Sequence, residues 1–561
     1  MNGIPRRSVA AKFMGCRSRL LHMHFSRVLG LGVIAVTLAS CAAQTSDHTG
    51  AHADDFGTPV GTQSVKAGGD LVMGLSAEPD RLDPTTSSSL YTRYVMNSIC
   101  EKLYDNDSSG KLVPQLATAL PTVSQDGLTV TIPLRTGVKF ADGTPFDAAA
   151  VQTSLQRHLT LKTSQRTSEM GPIASIDVQS PTEVVVHYKQ PFAPLTAALA
   201  DRAGMILSPA ELTKAGDNFG DHPVCVGPFK FVERVPQTSI KVERDPLYYD
   251  AAQVHLDTIT YRIMTDANIR ATNLRSGDIQ VADTISPQDV DALAKESNLR
   301  VLQARGLNFR GLYVNVGNVD GVGKPAKPID TPLAKDARVR EALSLSIDRN
   351  ALAATVFNSW YEPACTPIAP ESTYATPAGI ACPAYDPEKS KKLLAEAGVQ
   401  TPYKVKLQVQ NSPDQLRYVQ ALQAGVAAGG FELEILPTEY SALLDVQKRG
   451  TYEALFLGWS GRIDPDANIS RFLTTGSSGN YSGYSSQALD DLLGQAARTT
   501  DTARRADLYG QAVTLIQKDN PYLYTYRERL LAAHTTKVTG IEQYPDGVVR
   551  VAKAAFLTGQ G

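Results

Sequence analysis

KLVPQLATALPTVSQDGLTVTIPLRTGVKFADGTPFDAAAVQTSLQR, residues 111–157, sets strand, turn and helix signals side by side. Leu128, Val130, Ile132 and Leu134 alternate with Gly127, Thr129, Thr131 and Pro133. That period of two predicts a half-buried strand, entered through the Asp126-Gly127 turn. VKFA then leads into a second turn at Asp142-Gly143. Beyond it Ala148, Val151, Leu155 and Leu159 fall on one helical face. Strand and helix in alternation predict α/β layers.

The same alternation continues outward. Val339, Leu343 and Ile347 share a helical face. Asp386 and Pro387 have the chemistry of an N-cap and first helical position, for a helix that ends at Gly398 with Leu393 and Leu394 inward. Two further helices are expected at about 486–497 and 502–518, stopping at Asn520-Pro521. YEALFL, residues 452–457, reads as an apolar strand broken by Gly458, and Asp464-Pro465-Asp466 reads as a turn. The polar cluster GWSGRIDPD, 458–466, thus leaves the C-terminal end of a buried strand, where α/β proteins place ligands; the alternative is a solvated loop. GNVDGVGKPAKPIDTP, 317–332, reads as a surface loop inside a domain.

At 561 residues the chain is too long for one core, and two or three domains are expected. Apolar content of 42% and charged content of 20% are ordinary for a globular protein. Residues 1–40 carry Arg6, Arg7, Lys12, Arg17, Arg19 and Arg27 and no acid; without these six cations the charge falls from −2 to −8. A mildly acidic body argues against nucleic-acid binding, which needs clustered cations.

The basic N-terminus leads into VLGLGVIAVTLASC, 28–41. Its apolar run is as long as a signal-peptide core and short of the ~20 residues that span a bilayer. Leu38-Ala39-Ser40-Cys41 resembles the lipobox of bacterial lipoproteins. The resemblance implies a signal peptide over 1–40, lipidation of Cys41 and an extracytoplasmic location on the cell membrane. Met1 and Met23 both remain possible starts, and Arg6-Arg7 lies too far from the apolar run for a twin-arginine signal. Residues 42–65 are small and polar and read as a flexible tether. Within it His48, His52, Asp54 and Asp55 imitate a metal-ligand spacing, but the segment lacks a helix to present them, so no metal is expected.

Cys100, Cys225, Cys365 and Cys382 remain after Cys16 and Cys41 are set aside. Four cysteines in an oxidising compartment allow three pairings. Cys365 with Cys382 would close the Pro-rich loop CTPIAPESTYATPAGIAC, which leaves Cys100 for Cys225. Four free thiols are the alternative.

Catalytic signatures are missing. There is no HExxH and no GxSxG, and Gly321-Val322-Gly323-Lys324 meets Pro325 where a phosphate loop needs Ser or Thr. His158, His187, His222, His255 and His534 are scattered and read as surface or capping residues. No enzyme activity and no cofactor are expected.

Several blocks in order resemble the large solute-binding proteins of ABC importers, the family of oligopeptide-, dipeptide- and nickel-binding proteins. They are the opening stretch, VGPFKF at 226–231, LRSGDIQVA at 274–282, LYVNVGN at 312–318, DARVREALSLSIDRNAL at 336–352, YDPEKSKKLLAEAG at 385–398 and YSGYSSQALDDLLGQAARTTDTARRADLYGQAVTLIQKDNPYL at 481–523. The resemblance covers about 68–556. It implies an α/β two-lobe flytrap of the large periplasmic-binding-protein type, with an extra sub-domain on lobe I. Lobe I would span 66–305 and 526–561, with the sub-domain at about 105–205, and lobe II 306–525. The chain would cross near 305 and near 525, and ligand would be buried as the lobes close.

In peptide binders of that family an Asp three residues after the Gly-Trp pair meets the peptide's ammonium. Gly458-Trp459 matches, but the position holds Arg462. A guanidinium suits an anion instead. Arg462 is therefore expected to anchor an anion or to pair with Asp464, with Trp459 as an apolar wall and Asp464 or Asp466 as alternative ammonium partners. By the same resemblance PTTSSSLYTR, 84–93, supplies Ser87, Ser88, Ser89 and Tyr91 to the opposite wall, and Asn308 and Tyr313 lie near the first crossing. The bare chemistry of the Ser/Thr loop is equally that of a helix cap. The implied function is capture of a peptide or peptide-like polar solute, as a monomer, for an ABC permease and its ATPase. The alternatives are an anionic cargo such as an opine, a glutathione-like conjugate or a metal chelate, an extracytoplasmic hydrolase, or a signalling receptor.

Overall fold

The computed structural model describes residues 53–559. The signal segment, the lipobox with Cys41, and His48 and His52 lie outside the described residues. Two large sheets organise the body. The first has seven strands in the order Leu299–Arg305, Arg529–Thr535, Val281–Ala282, Asp70–Leu75, Thr258–Ile263, Ser239–Arg244, Phe229–Val235. The second has six, in the order Glu362–Pro363, Tyr522–Arg527, Phe309–Val314, Ala454–Trp459, Tyr403–Gln410, Phe431–Thr438. The chain passes between them twice, after Arg305 and at Glu528. These sheets are the centres of two lobes. A four-stranded antiparallel sheet, made by Thr122–Val123, Thr129–Pro133, Glu183–Tyr188 and Ile173–Ser180, extends the first.

The opening stretch folds by its periodicity. Val130 and Ile132 are buried within Thr129–Pro133, and Val151 and Leu155 are buried on the helix Ala148–Thr160. Asp147 caps that helix by accepting from the Ala150 N–H. Asp386 does the same for Pro387–Glu396, accepting from Lys389 N–H. The C-terminal helices run Gln487–Arg498 and Thr502–Asp519, the second closed by left-handed Asn520. The central strand Ala454–Trp459 packs against a core on each face, which explains why it opens on an unbroken apolar run, while Tyr403–Gln410 and Phe431–Thr438 nearer the edge alternate with exposed charged residues. Ala454 and Phe456 join the core on one side, and Leu455 and Leu457 the core on the other.

Gly458 does not break its strand. The strand runs Ala454–Trp459, and Gly458 is there because a Cβ would stand 2.4 Å from Arg310 Cδ and 2.6 Å from the Phe309 carbonyl oxygen. Asp464-Pro465-Asp466 is likewise more than a turn, since it opens a helix, Asp466–Leu473. Two histidines also depart from expectation. His158 is fully buried against the Thr85 hydroxyl, and burial with the nearby Arg166 charge pulls its pKa down to about 3. His534 is buried beside the Thr535 carbonyl.

Disulfides join Cys100 to Cys225 and Cys365 to Cys382. The expected tether lies along the body from Ala53 onward. Asp54 pairs with Arg305 and Arg529, Asp55 pairs with Arg300, and Val65–Lys66 adds a short strand to Ala555–Leu557. Both acids are thus engaged by arginines. Among the described residues no cluster of His, Cys, Asp and Glu could hold a metal ion, and no helix is long and apolar enough to cross a membrane.

Candidate functional site

Two adjoining cavities lie between the sheets, and both border Leu90 and Ser460. The larger, of about 120 Å³, is lined by Tyr91, Asp283, Asn308, Arg310, Tyr361 and Glu528 among others. The smaller, of about 50 Å³, lies under Trp459, against Ser88, Arg202, Tyr313, Arg471 and Tyr481. Residues of both lobes line each cavity.

Local chemistry sets the first wall. Ser89 caps the helix Leu90–Ile99, its hydroxyl accepting from Tyr91 N–H. Asp80 gathers the preceding loop by accepting from the N–H groups of Ser88 and Ser89 and from Thr92 Oγ1. The loop carbonyls point toward arginines. Ser87 O accepts from Arg166 at 3.0 Å and from Arg202 at 3.2 Å, and Ser89 O accepts from Arg202 at 3.2 Å. Ser88 faces the smaller cavity, and Tyr91 faces the larger, its hydroxyl 2.9 Å from Ser76 Oγ, which donates to Asp283. The Ser/Thr loop is therefore both a helix cap and a cavity wall.

Asn308 stands in the larger cavity but its side chain is committed. Its Nδ2 donates to Glu528 O and its Oδ1 accepts from Glu528 N, both at 2.8 Å, so it ties the two chain crossings together. Tyr313 is buried in the smaller cavity, its ring 4.4 Å from that of Tyr522 and 6.3 Å from that of Tyr481. Trp459 is held by an Nε1–H bond to Asn468 Oδ1 at 2.9 Å and by the Phe472 ring at 4.9 Å. The Arg462 guanidinium lies over its face at 4.3 Å.

Arg462 does not pair with Asp464. Its Nε and Nη2 meet Asp201 of the other lobe at 2.7 and 2.5 Å, and its Nη1 donates to Gly461 O and Ser460 Oγ. Asp464 is taken by Arg505 through two bonds of 2.7 and 2.9 Å. Asp466 accepts from Ser470 Oγ at 2.6 Å, and burial together with the Asp464 charge pushes its pKa up to about 7. Neither Asp464 nor Asp466 lines the two cavities; they border a separate small space with Arg93, Asp201 and Arg462. The reason is distance in sequence: the acid that best matches Arg462 arrives from position 201.

Other ionic contacts cross the cleft. Arg471 pairs with Glu169 and donates to Gln165 O at 2.7 Å, Tyr481 donates to Gln165 Oε1 at 3.3 Å, and Lys448 Nζ lies 3.9 Å from Asp80. Within the first lobe Arg93 pairs with Asp201 and Asp546, and its Nη1 donates across the cleft to Ser460 Oγ at 3.4 Å. The lobes are closed on one another in this structure. Residues that sequence reasoning did not single out are Arg93, Asp201, Arg202, Arg471 and Tyr481. No local motif marks them, because the fold assembles them from four separate segments.

Comparison with known proteins agrees with this architecture. The family model of bacterial extracellular solute-binding proteins, family 5, matches residues 111–480. The chain is 30% identical over 541 residues to the glutathione-binding protein GsiB of Shigella dysenteriae, covering 93% of this chain and 97% of that protein. Among solved structures it is similar to the A. tumefaciens periplasmic binding protein AgaA in complex with agropinic acid. That match has 26% identity, a TM-score of 0.77 and coverage of 86% and 96%. It is also similar to the ABC transporter-associated DppA of Helicobacter pylori in complex with the peptide STSA, with 25% identity, a TM-score of 0.78 and coverage of 88% and 99%. With a fold of two closed lobes, cavities lined from both and a family match over most of its length, the chain belongs to the family 5 extracellular solute-binding proteins, the substrate-binding components of ABC importers.

Proposed function

We propose that this protein captures a small peptide or peptide-like polar solute between its lobes and presents it to a membrane permease. The observation that carries this is the pair of adjoining cavities, built from both lobes and lined by aromatic rings beside buried charges. Such a lining gives a polar solute both stacking area and fixed hydrogen-bond partners. The lobes hinge at the two crossings near 305–309 and 527–529, and closure buries the solute. The protein acts as a monomer outside the cytoplasm, held by lipid on Cys41, and performs no bond-breaking. A glutathione-like conjugate or an opine is the second reading for the cargo, favoured by the likeness to GsiB and AgaA.

Thermal unfolding of the purified protein with glutathione and a panel of di- to tetrapeptides tests this. A true cargo present at 100 times its dissociation constant adds ~2.7 kcal/mol of stability. Mass spectrometry of the sample should return that solute unchanged. Turnover of the solute, or no stabilisation by any of the panel, overturns the proposal.

A further inference from the structure

The space under Trp459 holds more donors than acceptors. Arg202 is fully buried and Arg471 is 2% exposed. Arg202 Nε and Nη2 are buried without a hydrogen-bond partner, while Arg471 and the Ser88 hydroxyl have the Tyr481 hydroxyl beside them, and all of these residues line the smaller cavity. The Arg202 Nε lies 3.9 Å from Asp201, which Arg93 and Arg462 already occupy at 2.9 Å or less. Around the cavity Arg93, Arg166, Arg202, Arg462 and Arg471 share Asp201, Glu169 and Asp546, and Asp546 also serves Arg550.

An unpaired buried charge is among the most expensive features a protein can carry, and a surplus of cations adds mutual repulsion. Its mark is visible on neighbouring groups. Burial and the Arg166 charge pull the Arg202 pKa down to about 9. Against the upward push of burial, the Arg471 and Lys448 charges hold the Tyr481 hydroxyl below its usual value. A cavity of about 50 Å³ accommodates one small ionic group. The two arginines come from opposite lobes, so each closure brings them together.

Resting on the reading of this chain as a solute-binding protein, we propose that the cavity under Trp459 is an anion subsite. It takes a carboxylate of the solute between Arg202 of the first lobe and Arg471 of the second, with Ser88 Oγ as a third donor. The carboxylate supplies the missing negative charge and offers the geometry that a guanidinium fork recognises. It also gives closure a condition, since the two cations approach without penalty only when the anion lies between them.

Titration calorimetry of the full protein tests this with each peptide of the panel, and glutathione, that binds. Each is compared with its form in which every carboxylate is amidated. The acid should bind on the order of 100-fold more tightly than the amide. Arg202→Met should abolish that preference, and Arg202→Lys should restore part of it. Because the acid-to-amide comparison needs no variant, a failure of Arg202→Met to fold leaves the test intact. Equal affinity for acid and amide overturns the subsite while leaving the function standing. No binding by any peptide or by glutathione overturns the function, and the subsite with it.

Discussion

The two ends of the interlobe space handle charge differently. In the larger cavity each cation meets a carboxylate, though Arg529 shares Asp54 with Arg305. Arg310 Nε meets Glu528 at 2.9 Å, Arg270 lies 3.6 Å from Asp283, and Arg529 meets Asp54 at 2.8 Å. Under Trp459 several guanidiniums share few carboxylates, and donors are left over. A balanced end supplies shape and neutral hydrogen bonds, and tolerates varied side chains. An unbalanced end selects on charge, because only a complementary ion relieves it. On the proposed anion subsite, discrimination is expected at the Trp459 end.

Removing an acid from the unbalanced end should have the largest effect. Asp201 is buried, and its pairs with Arg93 and Arg462 outweigh the burial that would raise its pKa, so it stays ionised far below neutral pH. Asp201→Ala strands Arg462 without solvent, leaves Arg93 to Asp546 alone, and should cost ~3–5 kcal/mol in chemical denaturation. A loss below about 1 kcal/mol would mean that the arginines re-pair freely, and the contrast between the two ends would fail.

The next effect lies in pH. Asp466 has a folded pKa of about 7, above the ordinary value of 3.8, from burial and from Asp464. Between these values the folded chain keeps a proton that the unfolded chain has released. Stability from this group is present below about pH 4 and is lost as pH rises to about 7, at no more than ~1.4 kcal/mol per pH unit. Asp466→Asn should flatten the stability profile across that window and raise stability at pH 8. An unchanged profile would show that Asp466 is not the group titrating there.

Elements whose cause is local were legible in the sequence. Asp386-Pro387 opens its helix by cap chemistry that needs only four consecutive residues, and the alternation of Val130 and Ile132 identifies a strand without its neighbours. Trp459, Ser88 and Tyr313 were placed by resemblance and do meet in one cavity. The partner of Arg462 was not legible, because Asp464 is two residues away and Asp201 is 261, and nothing local says that the nearer acid belongs to Arg505. The helix Asp466–Leu473 was hidden by a Pro that reads equally as turn or helix start. Arg202 and Arg471 carry no motif at all, and their surplus charge exists only once four segments converge.

The smallest effect belongs to a long, partly solvated contact that crosses the cleft. Lys448 Nζ stands 3.9 Å from Asp80, with a fifth of its side chain open to solvent. Asp80 has other work, since it accepts from Ser88 N–H, Ser89 N–H and Thr92 Oγ1, so losing the lysine leaves it well satisfied. A long, partly solvated pair of this kind contributes ~0–1 kcal/mol. Lys448→Ala should therefore weaken solute binding by less than about 5-fold. Whatever effect remains should shrink as salt is raised, because water reaches the pair. A large effect that salt does not screen would place Lys448 in the cation network under Trp459, through its influence on Tyr481, and would extend the unbalanced end to the rim of the cleft.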